Sequence, residues 1–554
     1  MYDDGVPPNV NFDDKNLCDY FKRTVNKFPG RDALIYQGKR IKYSELDQMV
    51  NRFAACLKDF GIKKGDSVAI LLPNLVSCVV SYFAILKTGA VVVMNNPLYS
   101  DVELEHQFKD SGAKVLITLD LLAKRMVDLR EKTSIKQIVY ASIGDYLPFP
   151  KNLLFPLVGK KKKLTVDVKP AVDLYAWKDL INKYEPLEET VKLSMDDTAM
   201  YQYTGGTTGV SKGAVLTHGN LSRQLQQIHA WMTDVNDIDK EIMLGALPFF
   251  HVMGLTCSMN NAIFMGWTTV LVPKPQPDQL IEALSKFKPT IAPLVPTMFI
   301  GILNHPKIDE LDLSSIKTCV SGSAPLAVDV IKSFEEKTGS IIVEAFGMTE
   351  TSPSTHCNPL GEGKRKVGSV GTPLPNTECK VVSLNDGETE VPVGEAGELM
   401  VRGPQVMAGY HNMPSETSAT MTDDKWLHTG DIVKMDEDGF FFIVDRMKDM
   451  IISGGFNVYP RDIDEVLFEH PKVQEACSIG VPHPTRGEQI KAFVVLIDGA
   501  SADEKEFIEY CATKLANYKL PTEIEFRGEL PKTNVGKILR KDLREEELQR
   551  RSLN

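Results

Sequence analysis

A chain of 554 residues, 43% hydrophobic and 25% charged, has the make-up of a globular protein with room for two or more folding units and a sizeable core. The net charge of -11 argues against a nucleic-acid partner held by an overall basic surface, so any polyanion has to be bound locally. Nine cysteines are scattered from Cys18 to Cys511 without a C-x-x-C pair or metal-ligand spacing, and an odd number cannot pair off completely, which predicts reduced thiols and a cytoplasmic setting.

The start, Met1-Tyr2-Asp3-Asp4, is acidic where a secretory signal would be basic and then apolar, an expectation against export by that route. Ser44 followed by Asp47 predicts a capped helix with Leu46, Val50, Phe53, Leu57 and Phe60 on one face. Strands are predicted at 67–72, 90–94, 114–118, 137–141 and 268–272, alternating with helical segments as layered α/β architecture requires. The apolar stretch 75–94 is interrupted by Lys87-Thr88-Gly89 and reads as a core helix followed by a core strand rather than a membrane span.

Residues 146–163, YLPFPKNLLFPLVGKKKK, join apolar and proline-rich residues to four lysines. They fit either an exposed loop with a solvated charge run or a peripheral dock on an anionic membrane. After about Lys448 the pattern restarts, with a helix near 462–469, strands near 476–480 and 491–497, and a helix near 503–515. The expected organisation is a large α/β domain, 1–447, and a small α+β domain, 448–554.

Between a predicted strand at 198–203 and a helix at 220–228 lies TGGTTGVSKG, residues 204–213. Gly205, Gly206, Gly209 and Gly213 let the backbone approach an anion and aim N–H groups at it. Thr204, Thr207, Thr208 and Ser211 add hydroxyls, and Lys212 adds charge. The spacing is not that of G-x-x-x-x-G-K-[ST], which disfavours a kinase or GTPase. The decamer resembles the signature loop of the adenylate-forming superfamily, which contains acyl-CoA synthetases, luciferases and the adenylation domains of peptide synthetases.

Further segments resemble that superfamily's other blocks, in the family's order. PFFHVMG, 248–254, implies His251 beside the acyl carboxylate. SGSAPL, 321–326, implies that Gly322, Ser323 and Ala324 bracket adenine. EAFGMTE implies a nucleotide wall of Glu344, Ala345, Phe346 and Gly347, with Thr349 meeting the α-phosphate as part of the catalytic set and Glu350 holding Mg2+ together with Thr204. The family more often has tyrosine where Phe346 stands, so a hydroxyl contact there is lost.

WLHTGD implies that Asp431 accepts hydrogen bonds from the ribose hydroxyls. VDRMKDMIISGGFNVYP implies Arg446 on ribose or phosphate, Lys448 as the pivot of a mobile C-terminal domain, and Gly454, Gly455 and Asn457 along the coenzyme A tunnel. PKTNVGKILR implies Lys537 as the catalytic lysine. The resemblance further implies layered α/β sheets with a β-barrel-like subdomain ahead of the small mobile α+β domain.

The implied activity is two-step ATP-dependent activation of a carboxylic acid through acyl-AMP to acyl-CoA, with ATP and coenzyme A as co-substrates. The stretch 426–460 resembles bacterial medium- or long-chain fatty-acyl-CoA synthetases, and Val252, Met253, Leu255 and Val320 offer an apolar acyl site. An alicyclic or aromatic acid, an acyl-AMP ligase with another acceptor, and a non-catalytic binder stay open at this point. So does the choice between monomer and homodimer.

Overall fold

The computed structural model describes residues 2–187, 191–204, 211–232, 241–361, 363–453, 456–533 and 538–552. These form two compact units, one of residues 1–378 and 402–425, the other of residues 379–401 and 426–554.

The first unit holds two large sheets. In one, the strands Ile341–Gly347, Thr318–Ser321, Ile291–Leu294, Ile242–Gly245, Thr268–Leu271 and Asp32–Tyr36 lie side by side and parallel. Ser354–Cys357 and Lys39–Lys42 pair antiparallel with its two outer members. The other sheet runs through Thr198–Tyr203, Val91–Met94, Ser67–Leu71, Val115–Leu119, Gln137–Ala141 and Leu174–Ala176, again parallel.

Parallel strands are covered on both faces, so they read as continuous apolar runs rather than alternating ones. All five residues of Ser67–Leu71 are buried, and Phe108, Leu104, Met126 and Leu129 from the helices Asp101–Ser111 and Asp120–Arg130 pack against this sheet. The strands predicted at 67–72, 90–94, 114–118, 137–141, 198–203 and 268–272 agree with those observed within one residue at each end, whereas those predicted near 476–480 and 491–497 are longer, Val473–His483 and Gly487–Leu496.

Two local expectations are corrected. The helix Tyr43–Asp59 begins before Ser44, and its first turn is closed by the Glu45 carboxylate, which accepts from Lys42 N at 2.9 Å. Ser44 already sits inside the helix, where its hydroxyl is too late to cap. Residues 151–161 form a helix rather than a loop, with Leu153, Leu154 and Leu157 all exposed.

In the second unit the strand Leu427–Met435 pairs antiparallel with Gly397–Arg402 and Phe441–Arg446 in a four-stranded sheet, the counterpart of the barrel-like element. A five-stranded sheet built on the long hairpin Val473–His483 and Gly487–Leu496 carries the helices Pro460–Phe468, Glu504–Ala512 and Arg540–Ser552. The last is tied down by charge: Lys491, 2% exposed, lies 2.8 Å from Glu547 and 2.7 Å from Glu525. A buried ammonium is tolerable only with such partners. All nine cysteines are free thiols, and among the described residues no helix is long and apolar enough to cross a membrane.

Candidate active site

The candidate phosphate-binding segment connects the antiparallel strands Thr198–Tyr203 and Gly213–Thr217. Thr204 N donates to Lys212 O at 2.9 Å, closing the loop's neck. Gly213 lies opposite Tyr203, where a Cβ would come within 3.2 Å of the ring. From the helix Asp101–Ser111, His106 Nε2 lies 3.0 Å from Ser211 O and Gln107 Nε2 donates to Ser211 Oγ at 3.2 Å. Gln107 is itself fixed by Asn95, whose Nδ2 donates to it at 2.6 Å. Gly205, Gly206, Thr207, Thr208 and Gly209 lie outside the described residues.

At the C-terminal side of the loop Lys212 pairs with Glu416, and its Nζ stands 5.1 Å from the centre of the Tyr410 ring. Tyr410 Oη donates to Glu350 Oε1 at 2.7 Å, and the Glu350 carbonyl accepts from Met407 N at 2.8 Å. Glu350 is buried. The structure thus links Lys212 to the candidate magnesium carboxylate through one aromatic side chain, and it adds Tyr410, Glu416, His106 and Gln107 to the residues named from sequence.

Thr349 and Glu350 lie in a single 3₁₀ turn just after the strand Ile341–Gly347. Gly347 is demanded by proximity, since a Cβ there would fall 1.8 Å from Pro353 O. The half-buried Phe346 ring meets His356 edge on, 5.9 Å between centroids. Glu344 accepts from Gly368 N at 2.8 Å.

The 321–326 turn meets the 248–254 block through Met253. A Cβ on Gly322 would lie 2.8 Å from Met253 Cε, and Ser323 Oγ lies 3.4 Å from its sulfur. Ser323 takes φ +70°, and Ala324 follows half-buried. Part of His251 reaches the surface, yet the protein packed around its ring disfavours the charged form and pushes its pKa down to about 4. A neutral imidazole follows. After it the chain winds as a π-helix, Gly254–Asn260, a winding often found at functional sites.

Under this region lies an apolar cavity of about 60 Å³. The strands supply Val320, Val343 and Ala345, the helices supply Trp231 and Cys257, and Met232 follows at the C-terminal cap of the helix His218–Trp231. Of the residues assigned to the acyl site from sequence, Val320 lines it. Val252 and Leu255 are buried in the core, and Met253 turns to Gly322. Ala345, assigned to the nucleotide, shares the cavity wall with Val320, so the two candidate subsites are contiguous.

In the second unit, pairing places Asp431 opposite Arg446, with Nε 3.0 Å from Oδ1. Lys448 sits in the 3₁₀ turn Met447–Asp449, where burial and the neighbouring Arg446 charge lower its pKa to about 8. Its carbonyl accepts from Arg544 at 3.2 Å. Asn457 is exposed on the strand Phe456–Val458. Gly454, Gly455 and Lys537 lie outside the described residues, the last within a segment whose flanks, Lys532 and Ile538, form an antiparallel bridge.

Among the described residues no group of three or more His, Cys, Asp and Glu could cage a metal ion. A buried carboxylate, Glu350, and a hydroxyl, Thr204, are instead the sparse set that suits Mg2+, which takes the rest of its ligands from water and phosphate.

A family model described as AMP-binding enzyme matches residues 21–411, and one described as AMP-binding enzyme C-terminal domain matches 462–537. A long-chain-fatty-acid–CoA ligase of Bacillus subtilis (strain 168) is 44% identical over 99% of this chain and 97% of its own length. One from Escherichia coli O157:H7 is 39% identical over 98% and 97%. Among solved structures, ATP-bound MatB from Rhodopseudomonas palustris aligns with TM-score 0.83 and 30% identity, covering 96% of this chain and 99% of MatB. The anthranilate CoA ligase AuaEII with anthranoyl-AMP aligns at 0.85 and 27%, covering 97% and 98%.

Proposed function

This chain belongs to the AMP-binding enzyme family, and on that premise we propose that it is a fatty-acyl-CoA synthetase, an AMP-forming acid–thiol ligase. A carboxylate is a poor acyl donor because its oxygen is a poor leaving group. Its attack on the α-phosphorus of ATP forms acyl-AMP and releases pyrophosphate; the thiol of coenzyme A then attacks the acyl carbon and AMP leaves.

The first step brings two anions together. At 4 Å a pair of unit charges repels by about 4 kcal/mol at an effective dielectric near 20, so cations must be present. We assign Lys212 to the outer phosphates, Thr349 to the α-phosphate and Lys537 to the approaching carboxylate and the transition-state charge. Thr204 and Glu350 would hold Mg2+, whose chemistry when bound is to neutralise phosphate charge. The neutral His251 sits beside the carboxylate without adding a charge. Asp431 and Arg446 take the ribose. Lys448 is the pivot on which residues 448–554 turn between steps, after which Gly454, Gly455 and Asn457 guide the thiol.

The observation that supports a fatty acid is the apolar lining of the cavity at Val320, Val343 and Ala345, whose volume of about 60 Å³ takes only the first few carbons of a hydrocarbon tail out of water while its carboxylate stays at the nucleotide. The test is AMP release with linear, cyclic and aromatic acids, with and without coenzyme A. AMP release that depends on coenzyme A and is strongest with linear acids is expected. Release indifferent to coenzyme A would favour an acyl-AMP ligase, and no release with any acid would overturn the reading.

The reduced thiols fit a cytoplasmic enzyme, monomeric or homodimeric. The exposed Leu153, Leu154 and Leu157 beside Lys160 to Lys163 support contact with an anionic membrane, the source of a lipid substrate.

A further inference from the structure

Two strands of the second unit fall out of step at one place. Between the pairs Glu398 with Ile432 and Met400 with His428, the strand Gly397–Arg402 contributes Leu399 alone, while Leu427–Met435 contributes Thr429, Gly430 and Asp431. Such a bulge interrupts the ladder and re-aims a side chain. Gly430 turns the chain there at φ +70°, and on the other neighbouring strand Asp431 keeps its place opposite Arg446.

One carboxylate holds the bulge. Glu398 is 5% exposed. Its Oε1 accepts from Gly430 N at 3.0 Å, standing in for the ladder carbonyl that the bulge takes away, and its Oε2 lies 3.0 Å from His428 Nδ1. An ionised carboxylate only accepts, so Nδ1 carries the proton. Thr429 Oγ1 donates to Leu399 O at 2.7 Å and accepts from Asp431 N at 3.2 Å, which pins the backbone of Asp431 as well. Buried carboxylates persist where such partners offset the loss of water, and here both oxygens are spent on the turn that leads into Asp431.

We propose that Glu398 is a positioning residue for the nucleotide, aiming Asp431 at the ribose and so making the enzyme select ribonucleotides. The proposal rests on the ribose role given to Asp431 above. Glu398 acts through the bulge rather than on the substrate. A charged acceptor shared by two hydroxyls loses a hydrogen bond when either is missing, and a site built for a hydroxyl rejects the analogue without it. That rejection requires Asp431 within reach of the ribose, so it is the property the bulge controls.

The experiment measures kcat/KM for pyrophosphate release with ATP, 2′-deoxy-ATP and 3′-deoxy-ATP at saturating acid, in the wild type, Glu398→Gln, Glu398→Ala and Asp431→Asn. The wild type is expected to favour ATP over each deoxynucleotide by on the order of tenfold. Glu398→Ala should bring that ratio close to the one Asp431→Asn shows. Combining the two substitutions should lower it no further, because the residues act as a unit. Glu398→Gln keeps an oxygen for Gly430 N and an amide for the other tautomer of His428, and should keep part of the ratio. The order of preference among acids should stay that of the wild type in every variant.

General damage to packing lowers all rates and leaves the nucleotide ratio where it was. A ratio unchanged in the folded Glu398 variants therefore overturns the proposal while the synthetase reading stands, and the near-isosteric Glu398→Gln decides if Glu398→Ala does not fold. A wild type that uses the nucleotides equally overturns the ribose role of Asp431 together with the proposal. Absence of pyrophosphate release from ATP with every acid overturns the synthetase reading itself.

Discussion

Lys212, the cation of the candidate phosphate loop, is paired with Glu416, a residue 204 positions away in sequence. The pair is partly exposed, with side-chain accessibilities of 24% and 46%, so its net worth is about 1 kcal/mol or less. It nevertheless competes with phosphate for the same ammonium. Glu416→Gln should therefore lower the KM for ATP by about two- to fivefold and leave the KM for the acid unchanged. Steady-state kinetics with each substrate varied in turn checks this, and an unchanged or raised KM for ATP would count against competition.

Tyr410 holds the Glu350 carboxylate in place. Tyr410→Phe keeps the ring under Lys212 but removes the donor, at a cost of about 1–3 kcal/mol to the site. The Mg2+ concentration needed for half-maximal rate should rise about tenfold or more, a shift that titration of activity with Mg2+ reads directly.

The two half-reactions separate the assigned roles of Lys537 and Lys448. Lys537→Ala should lose adenylation, measured by pyrophosphate release, and still make thioester from supplied acyl-adenylate. Lys448→Pro should do the opposite, since proline stiffens φ at the pivot. Equal loss of both half-reactions in either variant contradicts the role given to that lysine.

His218 and His356 are fully enclosed, and burial lowers their pKa values to about 4 and about 3. Unfolding releases them to the ordinary value near 6.5, so over this window the unfolded chain binds more protons than the folded one. Stability from these rings is complete above pH 6.5 and is lost as pH falls toward 4 and then 3, at about 1.4 kcal/mol per pKa unit of depression. Urea midpoints measured at pH 7, 5.5 and 4.5 should fall in that order, and His356→Gln should flatten the slope. Midpoints that hold steady across the range would contradict it.

The helix Lys151–Lys161 should bring the protein to vesicles containing anionic lipid at low salt and release it at high salt, because each lysine near such a surface contributes about 1 kcal/mol and the contribution is screened. Replacing Leu153, Leu154 and Leu157 by serine should weaken binding at both salt concentrations without altering turnover of a soluble short acid. Failure to co-sediment at low salt would dismiss the contact.

Much of this molecule is local and therefore legible in one dimension. The strands at 67–71 and 91–94 announce themselves because buried parallel strands must be apolar throughout, and the 204–213 loop does so because close approach to phosphate demands glycine, hydroxyl and charge in one short run. The helix start at Tyr43 is not legible for the converse reason: Ser44 is a good cap residue by type, yet the chain enters so that Lys42 takes the cap position and the Glu45 carboxylate closes the first turn.

What tertiary structure alone decided lies at long range. Glu416 and Tyr410 have no local signature, and they reach Lys212 only because the strand Gly409–Tyr410 pairs with Gly213–Thr217. The apolar cavity beside Val320 and Ala345 is assembled from residues between 228 and 374, and nothing in any one stretch of the sequence says that these side chains will share a wall. The sequence by itself set which chemical groups were present and which backbone shapes they could take; packing chose which of them meet, because a side chain's partner is fixed by the fold of segments hundreds of residues apart.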